Sequence, residues 1–184
     1  TTSSWSVGSE TVTLSVSMSG DYYSPNDHQF DIQIRKHYTS VSVIGDLVTP
    51  HGFDTSVTIV ITDIDTGAVL SGTGSVSSWS FTSSYSPVSE SGPVDFDVLL
   101  TTNSWSLGLE TVTLSVTMSG IYDNPTNYQF DVEIRKHYTS VTVQGDLVTP
   151  HGQTTDVTVV ITDLDTGTIL GSTSSVSSWS FTSS

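Results

Sequence analysis

Two short acidic turns carry residue types that could bind a metal ion. In each, two Asp residues alternate and a Gly follows: Asp63, Asp65 and Gly67 in the first, Asp163, Asp165 and Gly167 in the second. Alternating carboxylates followed by Gly are one way in which proteins hold Ca²⁺ through oxygen ligands. We therefore consider a calcium site, with Asp46 and Asp146 as further candidate ligands. The other interpretation is an ordinary hairpin turn in which Asp accepts backbone N–H groups.

A repeated segment, IRKHYTSV, holds every Lys and Arg of the chain, at Ile34–Val41 and again at Ile134–Val141. The chain has 19 acidic residues and a formal net charge of −15. We expect the cations to offset repulsion where two acidic domains meet, and His and Tyr to fill the seam. The predicted junction residues are Arg35, Lys36, His37, Tyr38, Arg135, Lys136, His137 and Tyr138. The alternative is that Arg and Lys are solvated strand ends whose exposed ion pairs contribute little.

Several function classes are disfavoured by composition and motifs. The chain has no Cys, no G-x-S-x-G elbow and no HExxH pattern, so the sequence predicts no catalytic site and no enzyme. A strongly acidic surface is unsuited to nucleic acid, whose phosphates require clustered Lys and Arg. No apolar run approaches the ~20 residues of a membrane span.

The chain repeats itself with an offset of 100 residues. Residues 1–84 align without a gap with 101–184, and 60 of the 84 positions are identical. The divergent patch is Asp21–His28 against Ile121–Tyr128, and both versions contain Pro and are predicted to be loops. A period of this length is too long for a solenoid unit and is typical of a whole domain. The sequence therefore predicts a tandem array of similar domains.

Apolar and polar residues alternate along several segments. Val112, Leu114 and Val116 lie two positions apart with Thr and Ser between them, which is the period of a half-buried strand. The same reasoning predicts seven strands in one repeat, separated by turn residues, and none of the segments has helical spacing. The predicted strands are 40–44, 56–62, 68–70, 76–81, 94–101, 110–118 and 129–135. The predicted core residues on these strands are Trp79, Phe81, Phe96, Val112, Leu114, Val116, Phe130, Val132 and Ile134. This pattern indicates an antiparallel β-sandwich.

The segments VTVVITDLDTGTIL, SSWSFTS, SWSLGLETVTLSVTMSG and YQFDVEIRKHYTSVTV carry a family resemblance. They are similar to the B–C hairpin, D strand, F strand and G-to-A junction of immunoglobulin-like repeats in large bacterial and archaeal surface proteins, including adhesin stalks and surface-layer proteins. The resemblance implies an all-β fold of tandem immunoglobulin-like domains, located outside the cell. It also implies a structural role in a rigid stalk, filament or surface layer, with neighbouring repeats or copies as head-to-tail partners. The alternative is an adhesin module that binds a receptor or glycan through its loops.

The domain boundaries have two possible frames. In the favoured one, 1–37 holds the last two strands of a preceding repeat, 38–137 is a complete repeat, and 138–184 holds the first four strands of the next. In the other, 1–84 and 94–184 are domains joined by the Ser- and Pro-rich segment 85–93. The favoured frame leaves incomplete repeats at both ends. We therefore expect either that the chain is part of a longer one or that neighbouring copies complete each other.

Overall fold

The protein is all-β. The computed structural model describes residues 4–85, 88–91, 97–171 and 176–183, with the backbone alone in 88–91. Its strands are β1 (Gly8–Leu14), β2 (His28–Ile34), β3 (Thr39–Gly45), β4 (Val48–Pro50), β5 (Thr55–Asp63), β6 (Val76–Thr82), β7 (Val88–Ser91), β8 (Asp97–Leu100), β9 (Gly108–Met118), β10 (Tyr128–Arg135), β11 (Thr139–Gly145) and β12 (Val157–Asp163). Across these ranges, no helix is long and apolar enough to cross a membrane.

Strand β9 shows how the alternating sequence produces buried and solvated faces. Val112, Leu114, Val116 and Met118 are buried, whereas the Thr and Ser residues between them are partly or fully exposed. Successive side chains of a strand point to opposite faces, so the period of two turns Val112, Leu114, Val116 and Met118 toward the core. Leu109, near the start of β9, falls outside this period and is exposed. β-branched residues are also well suited to a pleated, half-buried surface.

The strands form four sheets. One has three strands in the order β3-β5-β8, and another has five in the order β4-β10-β9-β6-β7. The remaining sheets are the hairpin β1-β2 and the pair β11-β12. Strand β6 runs antiparallel to both β7 and β9, while β4 runs parallel to β10.

Backbone proximity groups the chain into two compact units. The first comprises Thr1–Gly45, Ser56–Leu99 and Thr111–Phe130, and the second comprises Asp46–Thr55, Leu100–Glu110 and Asp131–Ser184. The core of the first unit includes an aromatic chain in which the Phe81 ring lies 5.5 Å from Trp79 and 5.8 Å from Phe130. The second unit has its own buried residues, among them Leu100, Trp105, Val132 and Ile134.

Five of the predicted strands are confirmed, at 40–44, 56–62, 76–81, 110–118 and 129–135. The predicted core residues Trp79, Phe81, Val112, Leu114, Val116, Phe130, Val132 and Ile134 are all buried. Phe96, also predicted to be in the core, lies outside the described residues. The predicted strand at 94–101 is described only at its end, as β8.

The predicted strand 68–70 is wrong. This segment makes one isolated bridge, between Val69 and Thr62, and the chain then turns away, with the Thr73 N–H donating to the Leu70 carbonyl at 3.1 Å. The next strand is β6, which pairs with β9. Strands β4 and β7 were not predicted from the sequence.

The two pairs β3-β5 and β11-β12 have the same register. Thr39 faces Asp63 in the first pair, and Thr139 faces Asp163 in the second. The surroundings differ between equivalent residues: Leu14 at the end of β1 is 53% exposed, whereas Leu114 in β9 is 0% exposed. Equivalent residues of the two copies can therefore serve as matched controls for each other.

We expect Leu114→Ala to lower the free energy of unfolding by about 2–5 kcal/mol, because it leaves a cavity in a packed core. Leu14→Ala, at the equivalent position, is expected to change it by less than about 0.5 kcal/mol in dilute solution, because this side chain is already exposed. Denaturant unfolding of both variants measures the difference. Equal losses would show that the two leucines do not differ in burial.

Candidate functional site

The two acidic turns and the two RKHY segments come together as two similar clusters. The first clamp consists of Arg35, His37, Tyr38, Asp63 and Asp65. The second clamp consists of Arg135, His137, Tyr138, Asp163 and Asp165. The residues predicted for a junction and those predicted for calcium thus belong to the same two sites.

The hairpin turn after β5 orients both carboxylates of the first clamp. The Gly67 N–H donates to the Asp63 carbonyl at 2.8 Å, and Gly67 has a φ of 74°, which L side chains rarely adopt. The Asp65 N–H donates to Asp63 Oδ1 at 2.9 Å. One Asp therefore holds the turn closed, and the other Asp is free to project from it.

Arg35 binds the carboxylate of Asp65 with two parallel hydrogen bonds. Its Nη1 donates to Asp65 Oδ2 at 2.7 Å and its Nη2 to Asp65 Oδ1 at 2.6 Å. This bidentate geometry matches the planar guanidinium to the carboxylate and is stronger than a single ion-pair contact. The guanidinium also donates to the Lys36 carbonyl at 2.8 Å and lies 4.1 Å from the centre of the Tyr38 ring.

Asp65 is stabilised in its charged form by several donors. After the two bonds from Arg35, a third comes from the Tyr38 N–H, at 3.0 Å from Asp65 Oδ2. The Arg35 guanidinium and the Tyr38 amide hold the pKa of the Asp65 carboxyl well below its usual range. The charge pair therefore persists throughout the neutral and mildly acidic range.

His37 ties the first clamp to the loop between β9 and β10. Its Nδ1 lies 2.9 Å from Asp63 Oδ2, and its backbone N–H donates to the Ile121 carbonyl at 2.8 Å. The Asp123 N–H donates a hydrogen bond to the His37 carbonyl at 2.9 Å. The ring of Tyr122 packs edge-on against the His37 ring, with 5.6 Å between the ring centres. The segment after β2 is thus bound at the backbone as well as through side chains.

The second clamp repeats the geometry of the first. Arg135 donates to the two carboxylate oxygens of Asp165 at 2.6 and 2.8 Å, and the Tyr138 N–H donates to Asp165 Oδ2 at 2.9 Å. The guanidinium lies 4.0 Å from the centre of the Tyr138 ring. The pair is less exposed here, at 19% for the Arg135 side chain against 51% for Arg35. Arg135 and the Tyr138 amide outweigh the desolvation of Asp165 and lower its pKa to about 2.

His137 makes a contact that has no counterpart in the first clamp. Its Nε2 lies 2.7 Å from the His51 carbonyl, the His51 N–H donates to the Arg135 carbonyl at 2.9 Å, and the Phe53 ring lies 5.8 Å from the imidazole. Its Nδ1 is 2.8 Å from Asp163 Oδ2 but is not aligned as a hydrogen bond, so we describe this contact as an ion pair. The His51 carbonyl and the carboxylates raise the pKa of His137.

The structure places most of the predicted junction residues in the clamps. Lys36 and Lys136 are the exceptions, because they contribute backbone carbonyls, and neither ammonium group forms an ion pair with a described residue. Asp46 and Asp146, considered as further calcium ligands, instead accept the N–H groups of Val48 and Val148 within their own loops.

Sequence reasoning missed three participants, His51, Phe53 and Tyr122. The Pro and Gly of the segment TPHG are typical of a turn, and a turn does follow Pro50, with the Phe53 N–H donating to the Pro50 carbonyl at 3.2 Å. Nothing in the local pattern indicated that the backbone of His51 would meet the second RKHY segment. Tyr122 lies in the divergent loop, which the sequence marked as variable without indicating a contact.

The geometry of a metal site is present in part. One ligand atom from each of His37, Asp63 and Asp65 lies within 4.8 Å of the others, and the equivalent trio of the second clamp does the same. The Arg guanidinium occupies both oxygens of Asp65, so a cation that used this carboxylate would have to displace it. The calcium hypothesis thus competes with the clamp for the same carboxylates.

Comparisons with known proteins do not assign the chain to a family. No protein-family model matches the chain. No curated protein matches it either.

The second clamp should respond to pH through two groups, Asp165 and His137. Because the pKa of Asp165 is lowered to about 2 from 3.8, its contribution to stability is present above about pH 4 and lost as pH falls toward 2. Because the pKa of His137 is raised above 6.5, its contribution is full below that value and is lost as pH rises through the folded-state pKa. NMR titration of His137 tests the second statement directly. A pKa at or below 6.5 would contradict it.

The calcium hypothesis predicts that a chelator lowers the melting temperature and that Asp163→Asn with Asp165→Asn abolishes this sensitivity. The clamp predicts instead that the melting temperature is independent of chelator and that Asp165→Asn alone weakens the site. Thermal unfolding of the wild type and both variants, with and without chelator, separates the two. A melt that chelator does not change would reject calcium at these turns.

Proposed function

We propose that the chain is a segment of an extracellular stalk, filament or surface layer, built from tandem immunoglobulin-like β-sandwich repeats that clamp onto one another. The observation that carries the proposal is the bidentate Arg–Asp pair, formed twice with the same partners in the same geometry. In the favoured repeat frame, each Arg belongs to the last strand of one repeat and each Asp to the first hairpin of the next. The pair therefore acts across a repeat boundary.

The order of the strands supports an immunoglobulin-like repeat. In such domains, strands A, B and E share one sheet, while C, F and G share the other. Strands β3, β5 and β8 take the positions of A, B and E, and β6, β9 and β10 take those of C, F and G. The short strand β4, parallel to β10, occupies the edge beside the last strand.

The connection between repeats favours a restricted angle. Strand β2 ends at Ile34 and β3 begins at Thr39, and the segment between them contains no Gly or Pro. A flexible linker would be long and rich in Gly and Ser. Here the short connection is held by the Arg35 fork and by the two backbone hydrogen bonds of His37.

Each clamp presents a different half of the proposed complete junction. The first includes the downstream loop, through Ile121, Tyr122 and Asp123. The second includes the upstream turn, through His51 and Phe53. Because the RKHY segments are identical in the two copies, we infer that a junction between two complete repeats combines both sets of contacts.

The alternative function, binding of a receptor or glycan through loops, has less support. The candidates for a binding loop are the two divergent segments, Asp21–His28 and Ile121–Tyr128. In the second segment, Ile121 and Asp123 are bonded to the backbone of His37, and Tyr122 packs against the His37 ring. The variation in this loop is therefore better explained by adaptation to a neighbouring repeat.

The Arg35→Gln/Arg135→Gln double variant should loosen the angle between repeats and leave each repeat folded. The matched control is Lys36→Gln/Lys136→Gln, which removes the same charge without touching the forks. We expect small-angle scattering and backbone NMR relaxation to reveal broader motion in the Arg variant and wild-type behaviour in the control. Identical profiles for the wild type and the Arg variant would reject the clamp. Equal effects of the Arg and Lys variants would show that the change in net charge, and not the loss of the forks, alters the angle between repeats.

A further inference from the structure

An apolar face is uncovered in the C-terminal part of the chain. Trp179 is 75% exposed and Phe181 is 64% exposed, although the equivalent Trp79 and Phe81 are buried at 4% and 2%. The two rings pack against each other at 5.5 Å and border a groove of about 290 Å³. The apolar side chains lining the groove are Val157, Val159, Ile161, Val176, Trp179 and Phe181.

In the equivalent part of the complete repeat, strand β9 covers this face. Trp79 lies opposite Val116, and Phe81 lies opposite Leu114, in the antiparallel pairing of β6 with β9. Residues 76–82 form strand β6 in that pairing, whereas the equivalent described residues 176–182 are not in a strand. Residues 176–182 thus repeat the sequence of β6, and no described strand pairs with them.

The N-terminal hairpin has the sequence of the strand that covers β6. Residues 10–16 have the same sequence as residues 110–116 of β9, and here Leu14 is 53% exposed and Val16 is 42% exposed. The hairpin is already formed, with β1 and β2 paired from Gly8–Ile34 to Leu14–His28. It also keeps a cross-strand hydrogen bond from Gln29 to Thr13, matching that from Gln129 to Thr113. The hairpin can therefore dock as a preformed unit.

We propose that the β1-β2 hairpin of one copy of this chain docks on residues 176–182 of a second copy and adds a strand to them. Leu14 then lies opposite Phe181 and Val16 opposite Trp179, as in the pairing of β9 with β6. The inference rests on the proposed function in treating both terminal parts as pieces of the same repeat. Burial of these apolar side chains drives the association, and the new strand satisfies backbone groups along the edge.

The composite repeat formed by the two docked parts would contain the central strand pairings of a complete repeat. The central pairing of β9 with β6 and that of β3 with β5 both have their sequence equivalents in the composite. The two docking surfaces differ from each other, so the contact is heterologous and can propagate from copy to copy.

The register of the proposed pairing can be tested by cross-linking, because the chain contains no Cys. Ser80 lies opposite Ser115 in the complete repeat, so Ser15 of one copy should lie opposite Ser180 of the next. Under mild oxidation we expect the Ser15→Cys/Ser180→Cys chain to form a ladder of disulfide-linked oligomers. An equal mixture of the two single variants should stop at the linked dimer.

The control for register is Ser9→Cys/Ser180→Cys, in which the first cysteine is displaced along β1 by about 20 Å. We expect at least tenfold less cross-linking from this chain. In the Ser15→Cys/Ser180→Cys background, Leu14→Asp should reduce the ladder at least tenfold, while Ser17→Asp, on the opposite face, should leave it intact. Near-UV circular dichroism establishes that each variant keeps its folded core.

Failure of this inference is distinguishable from failure of the clamp. Equal cross-linking at positions 9 and 15, or a ladder that survives Leu14→Asp, would overturn the docking. Absence of a ladder at concentrations up to the millimolar range would overturn it too. A missing ladder together with a loosened Arg35→Gln/Arg135→Gln chain would reject the docking alone. A ladder together with an unchanged Arg variant would reject the clamp alone.

Discussion

The fork between an Arg guanidinium and an Asp carboxylate is the interaction on which the candidate site depends. Arg35 and Asp65 are far apart in sequence, and their contact brings the end of β2 to the turn after β5. The other contacts each support one partner of that fork. Tyr38 stacks on the guanidinium and donates its amide to the carboxylate, while Asp63 keeps the turn in the conformation that presents Asp65. A Lys at the same position could supply the charge but not the planar, two-point geometry.

The scarcity of cations makes this use of Arg informative. Against 19 acidic residues the chain has two Arg and two Lys, and both Arg side chains are committed to forks of the same form. Exposed single ion pairs are weak and easily screened, so a contact that must persist at moderate ionic strength benefits from bidentate bonds and partial burial. The second fork is less exposed than the first, which is consistent with that requirement. The upstream turn adds contacts to the second clamp through His51 and Phe53.

Alternation of apolar and polar residues was sufficient to predict most of the strands. In a half-buried strand such as β9, residues on the core face are apolar and residues on the solvent face are polar, so the sequence alternates with a period of two. It was insufficient for 68–70, where three apolar residues follow a turn but the chain bends away after one bridge. It also missed β4, whose three residues are too few to show a period. For the site, sequence analysis singled out the Arg and the Asp separately and assigned them to different roles. Their contact depends on the arrangement of strands, and no local pattern reports it.

The parallel pairing of β4 with β10 has a mechanical consequence. Three residues of β4, Val48 to Pro50, lie beside Glu133 to Arg135, and the flanking bonds run from Glu133 to Leu47 and from His51 to Arg135. In the proposed frame these strands belong to the start and the end of one repeat. Tension applied through the two ends would then pull the strands past each other along their length. The hydrogen bonds would be loaded in shear, all together, rather than peeled open one after another.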